Sequence, residues 1–192
     1  MKPLKFIHIT KCAGSTIEDL GLKNGYIWGR HHRTEYGFWH DLFPKKNIKL
    51  KNKYDWFMVV RNPYERLVSE FYCRWGGLGQ QKEINLNQQQ FNNYIENKIL
   101  EPNKKAHYLE QHKYIDPEQT IHIIRYENIE NEFNKLMDKY SIKIKWDPNM
   151  KYNKPLHFKK FSVKSFSPRV INLINKIYDK DFSIFGYKKI CV

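Results

Sequence analysis

With 192 residues, 41% of them hydrophobic and 16% aromatic, the chain can bury the core of one domain and is not a disordered segment. A formal charge of +14 and a pI near 9.6 point to anionic partners: nucleotides, acidic glycans, nucleic acid or a membrane surface. Three scattered cysteines, Cys12, Cys73 and Cys191, exclude a disulfide framework, and no pair of them has metal-ligand spacing. No apolar run is long enough to cross a bilayer and no signal peptide precedes the first strand, so a soluble protein of a reducing, cytoplasmic compartment is expected.

Residues 4–9 form a short apolar run that reads as a buried strand. It stops at a turn of small and polar residues, Thr10, Lys11, Cys12, Ala13, Gly14, Ser15 and Thr16, and an amphipathic segment follows at Ile17. Such a strand, turn and helix start points several backbone N–H groups at one spot, where the helix adds partial positive charge. A phosphate or sulfate suits that place. Lys11 adds a full charge, and the Ser15 and Thr16 hydroxyls can donate. The plain alternative is a well-capped turn between strand and helix.

Residues 21–25 read as a loop and Tyr26-Ile27-Trp28 as a second short strand, which opens into the cationic stretch Gly29-Arg30-His31-His32-Arg33. Trp39-His40 and a Lys/Asn-rich connection follow. Residues 54–60, YDWFMVV, make the strongest strand, ended by Arg61-Asn62-Pro63, and Pro63 fits the first position of a helix. Residues 64–75 carry Leu67, Val68, Phe71, Tyr72 and Trp75 at helical spacing. A Gln/Asn-rich surface loop is expected over 80–90. A second amphipathic helix is marked by Phe91, Tyr94, Ile95, Ile99 and Leu100. Residues 120–124 read as another strand, 130–140 and 169–178 as helices, and 147–166 as a basic loop. Strands alternating with helices predict an α/β fold with a mostly parallel central sheet flanked by helices, in a single domain over residues 1–192.

A second constellation lies in Arg61-Asn62-Pro63-Tyr64-Glu65-Arg66-Leu67-Val68-Ser69. Arg61 stands at a strand's carboxyl end, where open α/β sheets bind their ligands. Arg66 and Ser69 are three apart and share a helix face. Arg61 and Ser69 can thus hold a phosphate beside the first, while in the plain reading Arg66 pairs with Glu70 at the surface.

Taken together, these two segments resemble the PAPS-dependent sulfotransferases, nearest the carbohydrate, Golgi-type branch. In that family a strand-loop-helix with a lysine near its start cradles the 5′-phosphosulfate of 3′-phosphoadenosine 5′-phosphosulfate (PAPS), and an R-x-P-x-x-R-x-x-S run holds the 3′-phosphate. Lys11, Cys12, Ala13, Gly14, Ser15 and Thr16 match the loop, with Thr10 where the family has proline, and Arg61, Pro63, Arg66 and Ser69 match the run. Ile124-Arg125-Tyr126-Glu127-Asn128 looks like the family's strand-end R-Y-E motif. His107 and Gln111 look like its H-x-x-x-Q segment near the acceptor, and Tyr178-Asp179-Lys180-Asp181-Phe182 like its terminal helix.

The resemblance implies a P-loop-like three-layer fold and transfer of a sulfuryl group from PAPS to an acceptor hydroxyl by in-line displacement, leaving PAP. Lys11 is the expected catalytic cation, and a histidine, His32, His31 or His40, the expected general base, with Glu18 or Glu35 in reserve. Arg30, Arg33, His107 and Gln111 are expected to meet the acceptor, taken to be a glycan. The basic residues Lys154, His157, Lys159 and Lys160 can close over an anion. No metal is required, since lysine, arginine and backbone dipoles meet the donor's charge.

Other chemistries fit less well. A nucleotide kinase loop puts its lysine after the second glycine, whereas Lys11 precedes Gly14. A cysteine phosphatase needs arginine where Glu18 stands. Zinc held by His31, His32 and His40 is disfavoured because adjacent residues on an extended segment point opposite ways. A nucleic-acid- or nucleotide-binding protein without catalysis explains the charge and leaves the spacing of Arg61 and Ser69 unexplained.

Overall fold

A computed structural model describes residues 1–29, 40, 42–43, 48–81, 83–102, 104, 106–150 and 160–192. In chain order its elements are β1 (Leu4–Ile7), α1 (Gly14–Lys23), α2 (Ile48–Lys53), β2 (Asp55–Val60), α3 (Pro63–Phe71), α4 (Gln88–Leu100), β3 (Ile121–Arg125), α5 (Ile129–Lys139), α6 (Pro168–Ile177) and α7 (Asp179–Phe185), with short 3-10 turns between. They fall into two compact units, one of Met1–Arg61 with Lys113–Asn153, the other of Asn62–His112 with Lys154–Val192.

The first unit holds an all-parallel sheet in the order β1-β2-β3. Leu4 to Ile7 pair with Asp55 to Met58, and Trp56 to Val60 with Ile121 to Arg125. β2 is central, and five of its six residues are buried, as an apolar strand covered on both faces requires. Phe57 meets the rings of Phe6, Trp28 and Phe133, the last on α5. Trp56, on the opposite face, packs on Phe43 and donates its indole N–H to the Lys51 carbonyl of α2 at 2.9 Å. The expected α/β architecture with a parallel sheet flanked by helices is what the chain forms.

Several local expectations shift. Residues 26–28 form no strand, although Trp28 is buried and its carbonyl accepts from Phe6 N–H at 3.1 Å. α1 runs through Gly21 into the expected loop because Trp28 lies on that glycine, where a Cβ would sit 2.6 Å from the indole. α2 forms in the expected connection. Its Lys51 is buried and paired with Asp116, a partner 65 positions away that no local pattern announces.

The second unit is helical, and its core joins Phe71 of α3, Phe91 of α4, Phe161, Phe166 and the apolar face of α6. Phe91 stacks on Phe161 and Phe166 with centroids 4.6 and 5.3 Å apart. α3 is capped by the Asn62 side chain, which accepts from Tyr64 N–H, with Pro63 opening the helix as expected. It ends at Phe71, four residues short of the expected limit. α4 begins with a reciprocal capping box between Asn87 and Gln90, inside the stretch expected to be loop.

Candidate functional site

Parallel pairing brings the carboxyl ends of β1, β2 and β3 to one edge of the sheet, so the residues following Ile7, Val60 and Arg125 meet there. After β1 the chain makes a tight loop in which Lys11 and Ala13 both take left-handed backbone angles, with φ of 58° and 61°. Non-glycine residues adopt this region at a cost, and alternate ones turn successive N–H groups inward as an anion-binding concavity. α1 then opens at Gly14 with no side-chain cap and no acidic residue in its first turn. Its leading backbone donors and partial positive charge face the loop uncompensated by any carboxylate of the helix's first turn. Cys12 is fully buried, while Lys11, Ser15 and Thr16 are half-buried at the surface of this loop.

Arg61, leaving β2, joins that loop directly. Its guanidinium donates to the Lys11 carbonyl at 3.4 Å and lies over the Tyr126 ring, with its carbon 4.3 Å from the centroid. Tyr126 follows β3. Thus the Lys11 loop, Arg61 and the tyrosine of the R-Y-E motif meet at this end of the sheet.

Gly14 and His8 explain each other. The His8 imidazole lies where a Cβ on Gly14 would be, with its Nε2 2.3 Å from that position. His8 is buried, and its Nδ1 is 3.1 Å from a carboxylate oxygen of the fully buried Glu18 on α1. The His40 ring stands edge-on to His8 at 4.6 Å. In the sequence His8 sits within a strand-like apolar run, where its contacts are not visible. The visible signal was a lone ionisable residue ahead of the loop, with Glu18 one helical turn beyond Gly14.

Of the expected histidine bases, His40 is described; His31 and His32, with Arg30, Arg33, Glu35, Lys154, His157 and Lys159, lie outside the described residues. Lys160 donates to the Leu86 carbonyl at 2.8 Å.

In the second unit, Ser69 is half-buried on α3. Arg66 is buried and serves as a staple: it donates to the carbonyls of Leu109 at 2.8 Å, His107 at 3.0 Å and Ala106 at 3.4 Å. Neither Arg66 nor Glu70 lies at the surface, since both are buried. Glu70 instead meets His107 Nδ1 at 2.8 Å. Burial pulls the His107 pKa down, but hydrogen bonds with Cys73 and Glu70 outweigh it and hold the value at about 9. Gln111 is fully buried against Asp181, whose carboxylate accepts from the Gln111 and His112 N–H groups at 2.8 Å each. Tyr178 donates to the Tyr108 carbonyl at 2.8 Å. The H-x-x-x-Q and Y-x-x-D-F segments therefore brace each other.

The family model described as "Sulfotransferase family" matches residues 2–188. The chain belongs to the sulfotransferase family. Searches of curated proteins and of solved structures find no match. Sulfotransferases transfer a sulfuryl group to an acceptor. Among the described residues of this sulfotransferase, no helix is long and apolar enough to cross a membrane.

Proposed function

We propose that the protein transfers a sulfuryl group from PAPS to an acceptor hydroxyl, with a glycan as the acceptor class. One observation carries this reading: an uncapped helix N-terminus and a left-handed loop bearing Lys11, tied to Arg61 at the carboxyl edge of the sheet. These residues fit the donor. Backbone N–H groups of Gly14, Ser15 and Thr16 with the Lys11 ammonium suit the 5′-phosphosulfate, and Arg61 with Ser69, matching the R-x-P-x-x-R-x-x-S run, suits the 3′-phosphate.

The donor supplies a sulfuryl group on a phosphate leaving group. The acceptor oxygen bonds to sulfur as the bond from sulfur to the bridging oxygen breaks, and the acceptor proton passes to a base. Lys11 and the loop amides stabilise the charge that develops on the departing oxygen. The base is taken to be a histidine of the set His31, His32 and His40. His40 is supported by its place beside His8, which packs on Gly14. Arg30, Arg33 and His107 stay assigned to the acceptor side from the family likeness, whereas Gln111, fully buried against Asp181, positions that segment from within, and the two units are taken to act as one domain because the family match runs through both.

Thermal unfolding with nucleotides tests the reading. PAP at a hundredfold excess over its Kd adds about 2.7 kcal/mol of stability, seen as a raised Tm, whereas ATP at the same concentration gives a smaller shift. Salt-sensitive binding to random DNA with no response to PAP contradicts the transferase and favours a nucleic-acid-binding protein.

A further inference from the structure

Apart from the sheet edge, the second unit gathers a carboxylate, a thiol and an imidazole at one point. The ligand atoms of Glu70, Cys73 and His107 all lie within 4.8 Å of one another. We propose that these three side chains form a binding site for a divalent zinc ion.

The donor set fits that ion. Thiolate, imidazole and carboxylate are the three ligand types zinc takes, and three protein ligands leave a fourth position for water. Glu70 is fully buried and Cys73 nearly so, while His107 keeps 18% of its side chain exposed, enough for an ion to enter. One Glu70 oxygen meets His107; the other, Oε1, is buried without a hydrogen-bond partner. An unpartnered carboxylate oxygen in the interior is costly, and a cation there removes the cost.

All three donors are held by the backbone around them. Cys73 N–H donates to the Glu70 carbonyl at 2.8 Å, which sets the two residues on the turn that ends α3. Gly77 and Gly79 N–H groups both donate to the Cys73 carbonyl, at 3.0 and 3.1 Å. Arg66 grips the backbone on either side of His107, and Tyr108 donates to the Gly76 carbonyl at 2.9 Å. Gly76 is required, since a Cβ there would lie 2.3 Å from His107 Nδ1. A site with preset donors binds without first paying to order them. Bound zinc would tie the end of α3 to the turn at Ala106–Tyr108.

Cobalt(II) titration of the full chain, stripped with chelator and kept reduced, tests this. Expected are a thiolate-to-cobalt charge-transfer band and visible bands of a tetrahedral ion, saturating at one cobalt per chain and removed by one equivalent of zinc. Cys73→Ser should abolish the charge-transfer band, Cys191→Ser should leave it, and Glu70→Gln should weaken zinc binding at least about tenfold. Absence of the band in the unsubstituted protein overturns the site, a result that needs no variant to fold. So does a band that survives in Cys73→Ser. PAP binding is read in parallel, and its loss or retention bears on the transferase alone.

Discussion

Arg61 and Lys11 stand 50 positions apart, and the guanidinium of the first donates to the main-chain carbonyl of the second at 3.4 Å. The contact fixes a left-handed residue of the loop after β1 to the end of β2, so the cation of one strand end shapes the loop of its neighbour. Stacking on Tyr126 then holds the guanidinium plane from the third strand end.

Arg61→Ala should therefore weaken PAP by about 30-fold or more, near 2 kcal/mol, as loss of a positioned charge does. Arg61→Lys should not restore it, because an ammonium neither stacks on Tyr126 nor forks between two acceptors. Calorimetric titration with PAP reads both, and full rescue by lysine argues against the stacked geometry.

Gly14→Ala should destabilise the fold by about 1–3 kcal/mol, the range for forcing an atom into filled space. Its Cβ meets the His8 ring, which is buried against Glu18, His40 and Phe6. His8→Ala should absorb most of that cost in the double variant, giving a coupling that urea denaturation measures. Simple additivity would mean that the clash lies elsewhere.

Arg66→Ala should cost more than about 3 kcal/mol, since three carbonyls around residues 106–109 lose a charged donor inside the protein. Stability falls, and PAP affinity measured on the folded fraction stays within about twofold. A selective loss of PAP affinity in a stable variant would make Arg66 a phosphate ligand instead.

A pH dependence follows from His107 in the zinc-free protein. Its folded pKa of about 9 exceeds the ordinary 6.5, so the folded state holds the proton more tightly. The stability this gives is fully present below pH 6.5 and is lost as pH rises through 9. Urea midpoints across that window should fall for the unsubstituted protein and flatten for His107→Gln. A flat profile in both contradicts a charged pair with Glu70.

The sequence carried the parallel sheet because YDWFMVV and its neighbours are apolar runs too short for helices and separated by amphipathic stretches. The loop around Lys11 was legible for the same local reason: strand, small residues and helix are contiguous. What escaped were contacts between distant residues. Arg66 looked like a phosphate-motif residue or a surface ion-pair partner, because a helix face reveals nothing of the carbonyls packed on it 40 or more residues later. His8 and Glu18 form a buried pair that neither residue announces alone. α2 lacks apolar periodicity and rests on Lys51 meeting Asp116. Gln111 and Asp181 are likewise a pair made by folding, 70 positions apart.

The most direct test of the account is transfer of radiolabelled sulfate from PAPS to a panel of polysaccharide acceptors, comparing the unsubstituted protein with Lys11→Ala. Label should enter an acceptor with the former, and Lys11→Ala should lower the rate at least about 100-fold, the scale for removing one transition-state charge contact. Transfer that proceeds undiminished without the Lys11 ammonium would contradict the claim that this loop is the sulfuryl-transfer site.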